Sequence, residues 1–145
     1  DKDRNAILTK GRSSGNKTDR NLDIIWIDTT RTNMDFVVSD GVNFVVNLQA
    51  TKPSAGAWHH IVAQWDGTTN TNTAKLFTDN ALAGQTTATG TGFRNAHNVF
   101  IGGQHPSNPN RTWDGKIAVI RAYNRILTTD EISINYNALK ERFGL

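Results

Sequence analysis

Apolar and polar positions alternate in short runs along this chain, and turn-forming residues interrupt them at intervals of about 8 to 12 residues, the spacing of an antiparallel sandwich or jelly roll. Asn5 to Lys10 reads as a strand, and the polar, glycine-rich stretch Gly11 to Arg20 as a surface loop. In Leu22 to Thr29 the residues Leu22, Ile24 and Trp26 share one face and Ile25 and Ile27 the other. A strand apolar on both faces belongs deep in a sheet. Asp35 to Ser39 and Val42 to Leu48 flank Asp40-Gly41, a two-residue hairpin signal, with Val42, Phe44, Val46 and Leu48 on one face of the second strand.

The alternation continues with His59 to Asp66, closed by Asp66-Gly67 and a loop of Thr and Asn only from Thr68 to Thr73. Ala74 to Thr78 and Ala81 to Thr86 flank a second hairpin turn, Asp79-Asn80. Gly84 to Gly92 reads as a surface connection, Val99 to Ile101 as a short strand, and Thr112 to Asn124 as the last long strand. The period then changes. Thr128 and Glu131 have the spacing of a capping box, and Ile132, Tyr136, Leu139 and Phe143 follow at steps of four, three and four. That stripe is one face of a terminal helix, which Gly144 is placed to end. The expected fold is all-β, an antiparallel jelly-roll β-sandwich with one short C-terminal α-helix.

Composition agrees. Of 145 residues, 18 are Thr and 16 are Asn, and only two are Glu. Thr favours strands and Asn turns, while helix formers are scarce. The length is that of one domain, and such a chain buries about two thirds of its unfolded surface, enough for a core without staples. The chain opens at Asp1 rather than Met, as a processed product, an excised domain or an incompletely observed chain would. No apolar run approaches the roughly 20 residues that cross a bilayer, so no membrane insertion is expected. Having no cysteine excludes disulfides, thiolate metal sites and a Cys nucleophile. The net charge is +3, and seven basic residues in the first 31 are interleaved with Asp1, Asp3, Asp19, Asp23 and Asp28. This is a mixed-charge surface rather than a nucleic-acid track.

Several segments together resemble the laminin-G-like, concanavalin A-like lectin/glucanase superfamily: Trp58-His59-His60-Ile61-Val62 with Asp66-Gly67; Lys75 to Asn80; Ile101-Gly102-Gly103; Trp113-Asp114-Gly115-Lys116-Ile117; and Arg121 to Thr128 with Glu131-Ile132. The resemblance implies two stacked antiparallel sheets in a single domain. Its departures are a missing first strand, Ala118-Val119 where an acidic pair often follows the last strand's glycine, and Asn80 where the hairpin usually has Gly. The terminal stretch Asn135 to Leu145 is similar to the ends of such domains in tail and capsid-surface proteins of bacteriophages. That likeness implies an extracellular or virion-surface location, with neighbouring virion proteins as partners and oligomerisation as an option.

The catalytic branch of that superfamily uses two glutamates close together on one strand, because retaining hydrolysis needs carboxyl groups about 5 to 5.5 Å apart. Here Glu131 and Glu141 stand ten residues apart on the expected helix, and the eleven aspartates are scattered, mostly at turns. His59 and His60 are strand neighbours pointing to opposite faces, His97 and His105 lie elsewhere, and no Walker loop is present. The expectation is therefore a module without catalysis.

Binding chemistry is more plausible. A sugar offers an apolar ring face and a rim of hydroxyls, so it calls for an aromatic platform beside amides and charged donors. Trp26 and Trp58 read as core; Trp65 and Trp113 lie near strand ends. Beside Trp113 the loop residues His105, Asn108, Asn110 and Arg111 form the place to look for a glycan, although a solvated loop is the simpler role. Calcium wants six to eight oxygens, and Asp114 is the best-placed single carboxylate for it; no other cofactor is implied. Asn16-Lys17-Thr18 and Asn110-Arg111-Thr112 fit the glycosylation sequon, a motif short enough to arise by chance. Two classes remain: a lectin-like module holding a polysaccharide or cell-surface glycan, and a structural virion component whose working surface is protein.

Overall fold

A computed structural model describes residues 5–11, 20–27, 32–92, 96–103 and 112–145. Among the described residues eight strands are followed by one helix: β1 (Asn5–Gly11), β2 (Arg20–Ile27), β3 (Asn33–Ser39), β4 (Phe44–Thr51), β5 (Ile61–Gln64), β6 (Ala74–Thr78), β7 (Ala81–Thr86), β8 (Val99–Ile101) and α1 (Thr129–Phe143). The strands form two antiparallel sheets, one ordered β4-β3-β2-β1-β8 and the other β5-β6-β7. β4 faces β6 and β7 across the interlayer space. The doubly apolar β2 sits at the centre of the larger sheet, where its pattern places it.

Period-two patterning builds the core. Met34, Phe36 and Val38 of β3 pair directly with Ala50, Leu48 and Val46 of β4, and all six are buried. Ala74 and Leu76 of β6 meet them from the other sheet. On the opposite face of the small sheet, Phe77 and Val62 form a separate cluster with Leu127 and Ile132, so α1 covers that outer face. The helix begins with the expected capping box, closes on Gly144 in the left-handed region (φ 67°), and brings Phe143 to 5.1 Å, between ring centroids, from Trp58.

Turn chemistry separates the two hairpins. Asp79 and Asn80 both take positive φ (49° and 69°) and join Thr78 directly to Ala81, the two-residue turn that suits the strand twist. The first hairpin is longer than its Asp40-Gly41 signal suggests. Ser39 pairs with Phe44, so four residues form the loop, because Asp40 Oδ1 accepts the amides of Val42 and Asn43 at 2.7 and 2.6 Å and holds them out of the ladder. Val42 is therefore at the exposed tip rather than on the core face with Val46 and Leu48.

Three further expectations need correction. His59 to Asp66 shortens to Ile61–Gln64, because His59 and His60 are drawn to Asp79 before the strand begins. Gly84 to Gly92 is a surface connection only in part: its first three residues belong to β7, and the rest is exposed apart from buried Ala88 and half-buried Gly90, with the Thr89 amide donating to the Val45 carbonyl at 2.9 Å. Thr112 to Asn124 carries the alternation of a strand but joins neither sheet. Its entry is held by the Trp113 amide on the Gly102 carbonyl (2.9 Å), and no ladder is formed along it.

Candidate functional site

Because residues 112–124 do not close onto a sheet, a cleft of about 1480 Å³ opens between them and β5. Trp58, Trp65, Trp113 and Tyr123 line it with His59 and His60, and its floor reaches the core residues Phe36 and Val38. Trp65 is positioned by its indole N–H on the Thr68 carbonyl (2.8 Å). Gly92 lets this ring lie close: a Cβ there would come within 3.3 Å of Trp65 Cζ3. Trp58 is fixed at the other end by Phe143.

The start of β5 is tied down by one carboxylate. Asp79 Oδ2 is 2.7 Å from His59 Nδ1, while its Oδ1 accepts the His60 amide at 2.8 Å. The Asp79 amide donates back to the His60 carbonyl at 2.8 Å. His59 Nε2 faces the Ser54 carbonyl at 2.9 Å and the Ser54 hydroxyl at 3.5 Å. Ser54, His59 and Asp79 thus stand in the order of a hydrolytic triad. The Ser54 carbonyl lies nearer to that nitrogen than the hydroxyl does, and the hydroxyl contact stands at the outer limit of a hydrogen bond. The arrangement clamps the loop before β5 to the β6–β7 turn. His59 and Asp79 are twenty positions apart, and nothing in the sequence pairs them.

His60 is half-buried, its Nδ1 enclosed without a hydrogen-bond partner and its ring 6.0 Å from that of Tyr136. Burial pushes its pKa below 6.5; the Asp79 carboxylate opposes this and the Arg121 guanidinium adds to it. Arg121 Nη1 donates to Asn135 Oδ1 at 2.5 Å, and Asn135 Nδ2 donates to the Tyr123 hydroxyl at 3.2 Å. Arg121 and Tyr123 fall within a segment of the resemblance, but their meeting with Asn135 was not legible there, because α1 supplies the amide.

Of the expected ligand residues, His105, Asn108, Asn110 and Arg111 lie outside the described residues, as does the sequon asparagine Asn16. Trp113 lines the cleft but is part packing: its indole nitrogen is enclosed with no partner, and a Cβ at Gly115 would stand 2.8 Å from it. Asp114 lines the same cleft and is exposed. Among the described residues no group of three or more His, Asp or Glu side chains gathers around a point. Glu131 is engaged by both Arg125 nitrogens (2.8 and 2.6 Å) and by the Thr128 amide (2.9 Å). Hydrogen bonds from Arg125, then from the Thr128 amide, hold its carboxyl down at a pKa of about 2.

Two facing antiparallel sheets, a helix on one outer face and an aromatic-lined cleft at one edge define a lectin-like β-sandwich. The chain belongs to the concanavalin A-like lectin/glucanases superfamily, whose family model of that description matches residues 1–133. Comparisons with curated proteins and with solved structures found no match.

Proposed function

We propose that the chain is a non-catalytic glycan-binding module, displayed on an extracellular or virion surface for adhesion or decoration. The observation that carries this reading is the cleft, whose lining includes Trp58, Trp65, Trp113 and Tyr123 together with Arg121 and Asn135. Aromatic faces take the apolar side of a pyranose, and amides and guanidinium groups take its hydroxyls. Superfamily membership supports carbohydrate as the ligand class. Against hydrolysis stand the only two glutamates, about 15 Å apart along a helix by its rise per residue, and the engagement of Glu131 by Arg125.

The test is retention on a glycan array. The intact protein is expected to bind at least one polysaccharide, and Trp113→Ala or Arg111→Ala to weaken retention by roughly tenfold or more, the effect of losing one stacking or charged contact. Absence of binding to every glycan overturns the proposal, and turnover of laminarin overturns its non-catalytic part.

A second reading, a structural component whose surface contacts protein, draws on exposed Val119, Ile120, Ile126 and Ile134. It predicts association with a particle or with further copies and no glycan retention.

A further inference from the structure

We propose that Asn5 is a specificity-determining residue of the cleft, pairing with the indole N–H of Trp113 to read one hydroxyl of a bound sugar. The assignment rests on the glycan-binding reading above and names what the β1 end of the cleft selects. Among the described residues, four enclosed side-chain atoms have no hydrogen-bond partner: Asn5 Oδ1, His60 Nδ1, Thr78 Oγ1 and Trp113 Nε1. All but the threonine belong to residues that line the cleft. A buried polar atom without a partner costs free energy, so folded chains keep few of them, and a concentration around one cavity points to a ligand that answers them.

Asn5 is the most deeply buried of these cleft residues. It opens β1, is only 6% exposed, and stands two residues before Ile7, which packs against the main core. Residues two apart on a strand share a face, so the amide lies on the interlayer side. The ladder agrees: Asn5 pairs with Ile27, and Ile27 with the core residue Met34. Packing alone calls for an aliphatic side chain at such a position, which would fill it with no polar group to satisfy.

Trp113 stands at the same end of the cleft. The Gly102 amide donates to the Ile7 carbonyl at 2.7 Å, and the Gly102 carbonyl accepts the Trp113 amide at 2.9 Å. One glycine therefore joins the start of β1 to the segment that carries the indole. The indole edge lies against Gly115, where a Cβ would stand 2.8 Å from Nε1, so the absent side chain gives the ring its place. An indole N–H only donates and the Asn5 oxygen only accepts. A hydroxyl does both through a single oxygen and answers the pair by itself. It reaches these enclosed atoms as the Asn5 amide turns about its broad terminal torsion and residues 112–124, which form no ladder among the described residues, give way.

Retention of the intact protein on a printed array of neutral polysaccharides, laminarin among them, tests this. Asn5→Leu exchanges the amide for an aliphatic group of similar size; it is expected to keep or raise the urea midpoint while retention falls roughly tenfold or more. Trp113→Phe keeps a stacking ring, loses the N–H, and should fall by a similar factor. Because both groups read one hydroxyl, the double variant should lose little more than either single one. Wild-type retention by Asn5→Leu overturns the assignment and leaves the glycan reading standing. A wild type that holds no polysaccharide overturns the glycan reading and the assignment with it. A second measurement needs no variant to fold. Soluble oligosaccharide cut from the polysaccharide that the wild type holds best should shift the NMR signal of the Trp113 indole N–H, and an unmoved signal at saturation overturns the assignment.

Discussion

At the scale of single residues, the chemistry next to the cleft is set by one carboxylate and two adjacent imidazoles. Asp79 holds both His59, through its side chain, and His60, through its backbone. Asp79→Ala removes both hydrogen bonds and is expected to destabilise the fold by about 1.5 to 3 kcal/mol, measurable by urea titration, since bonds to a charged group sit at the upper end of the usual range. A wild-type midpoint in that variant would show the clamp to be dispensable. His60 gives a pH signature. Its folded pKa lies below 6.5, so the unfolded chain takes up the proton more readily than the folded one. The stability it contributes is therefore whole above pH 6.5 and declines as pH falls below that value toward the folded pKa. Urea midpoints measured downward from pH 7 should fall in wild type, and His60→Gln should flatten that part of the slope. Of these roles, the turn at Asp79 was legible in the sequence, since Asp followed by Asn between two strands marks a two-residue hairpin. The bond to His59 was not, because it depends on which strand lies beside that hairpin.

At the scale of elements, the local signals at the helix ends and at Asp79-Asn80 held, whereas Asp40-Gly41 opened into a four-residue loop and the strand pattern of residues 112–124 formed no ladder among the described residues. The capping box at Thr128 and Glu131 and the left-handed Gly144 are satisfied by groups within four residues, and both formed as the spacing predicts. Asn80 adopts φ 69°, which its short side chain tolerates, and its amide also reaches Ser133 Oγ at 2.7 Å, tying the hairpin to α1. Thr128→Ala is expected to lower stability by about 1 kcal/mol, read from thermal or urea unfolding. The same helix start carries an acid signature of its own. Glu131 has a folded pKa of about 2 against an ordinary 4.5, so its contribution is complete above about pH 4.5 and is lost as pH falls from there toward 2. Replacing Arg125 by Gln should raise that carboxyl toward its ordinary value, visible by NMR titration. Residues 112–124 show the opposite case. Their alternation states that they fit a strand, but a strand needs a neighbour, and the pattern does not name one.

At the scale of the whole molecule, the sandwich rests on the interlayer contact of β3 and β4 with β6. Leu76 is fully buried at that contact, and Leu76→Ala is expected to cost about 2 to 5 kcal/mol in a cooperative unfolding transition. A loss below 1 kcal/mol would mean that the two sheets are not held by a common core. The sequence alone determined the all-β class, the order of strands and helix, the caps, and the separation of its two glutamates, because each is fixed by periodicity or by residues close in the chain. Tertiary structure decided which strand ends at the cleft, that Asp79 reaches His59, and that Asn135 joins Arg121 to Tyr123. Those are encounters between positions far apart in sequence, chosen by how two twisted sheets and a helix pack, and no one-dimensional pattern records them.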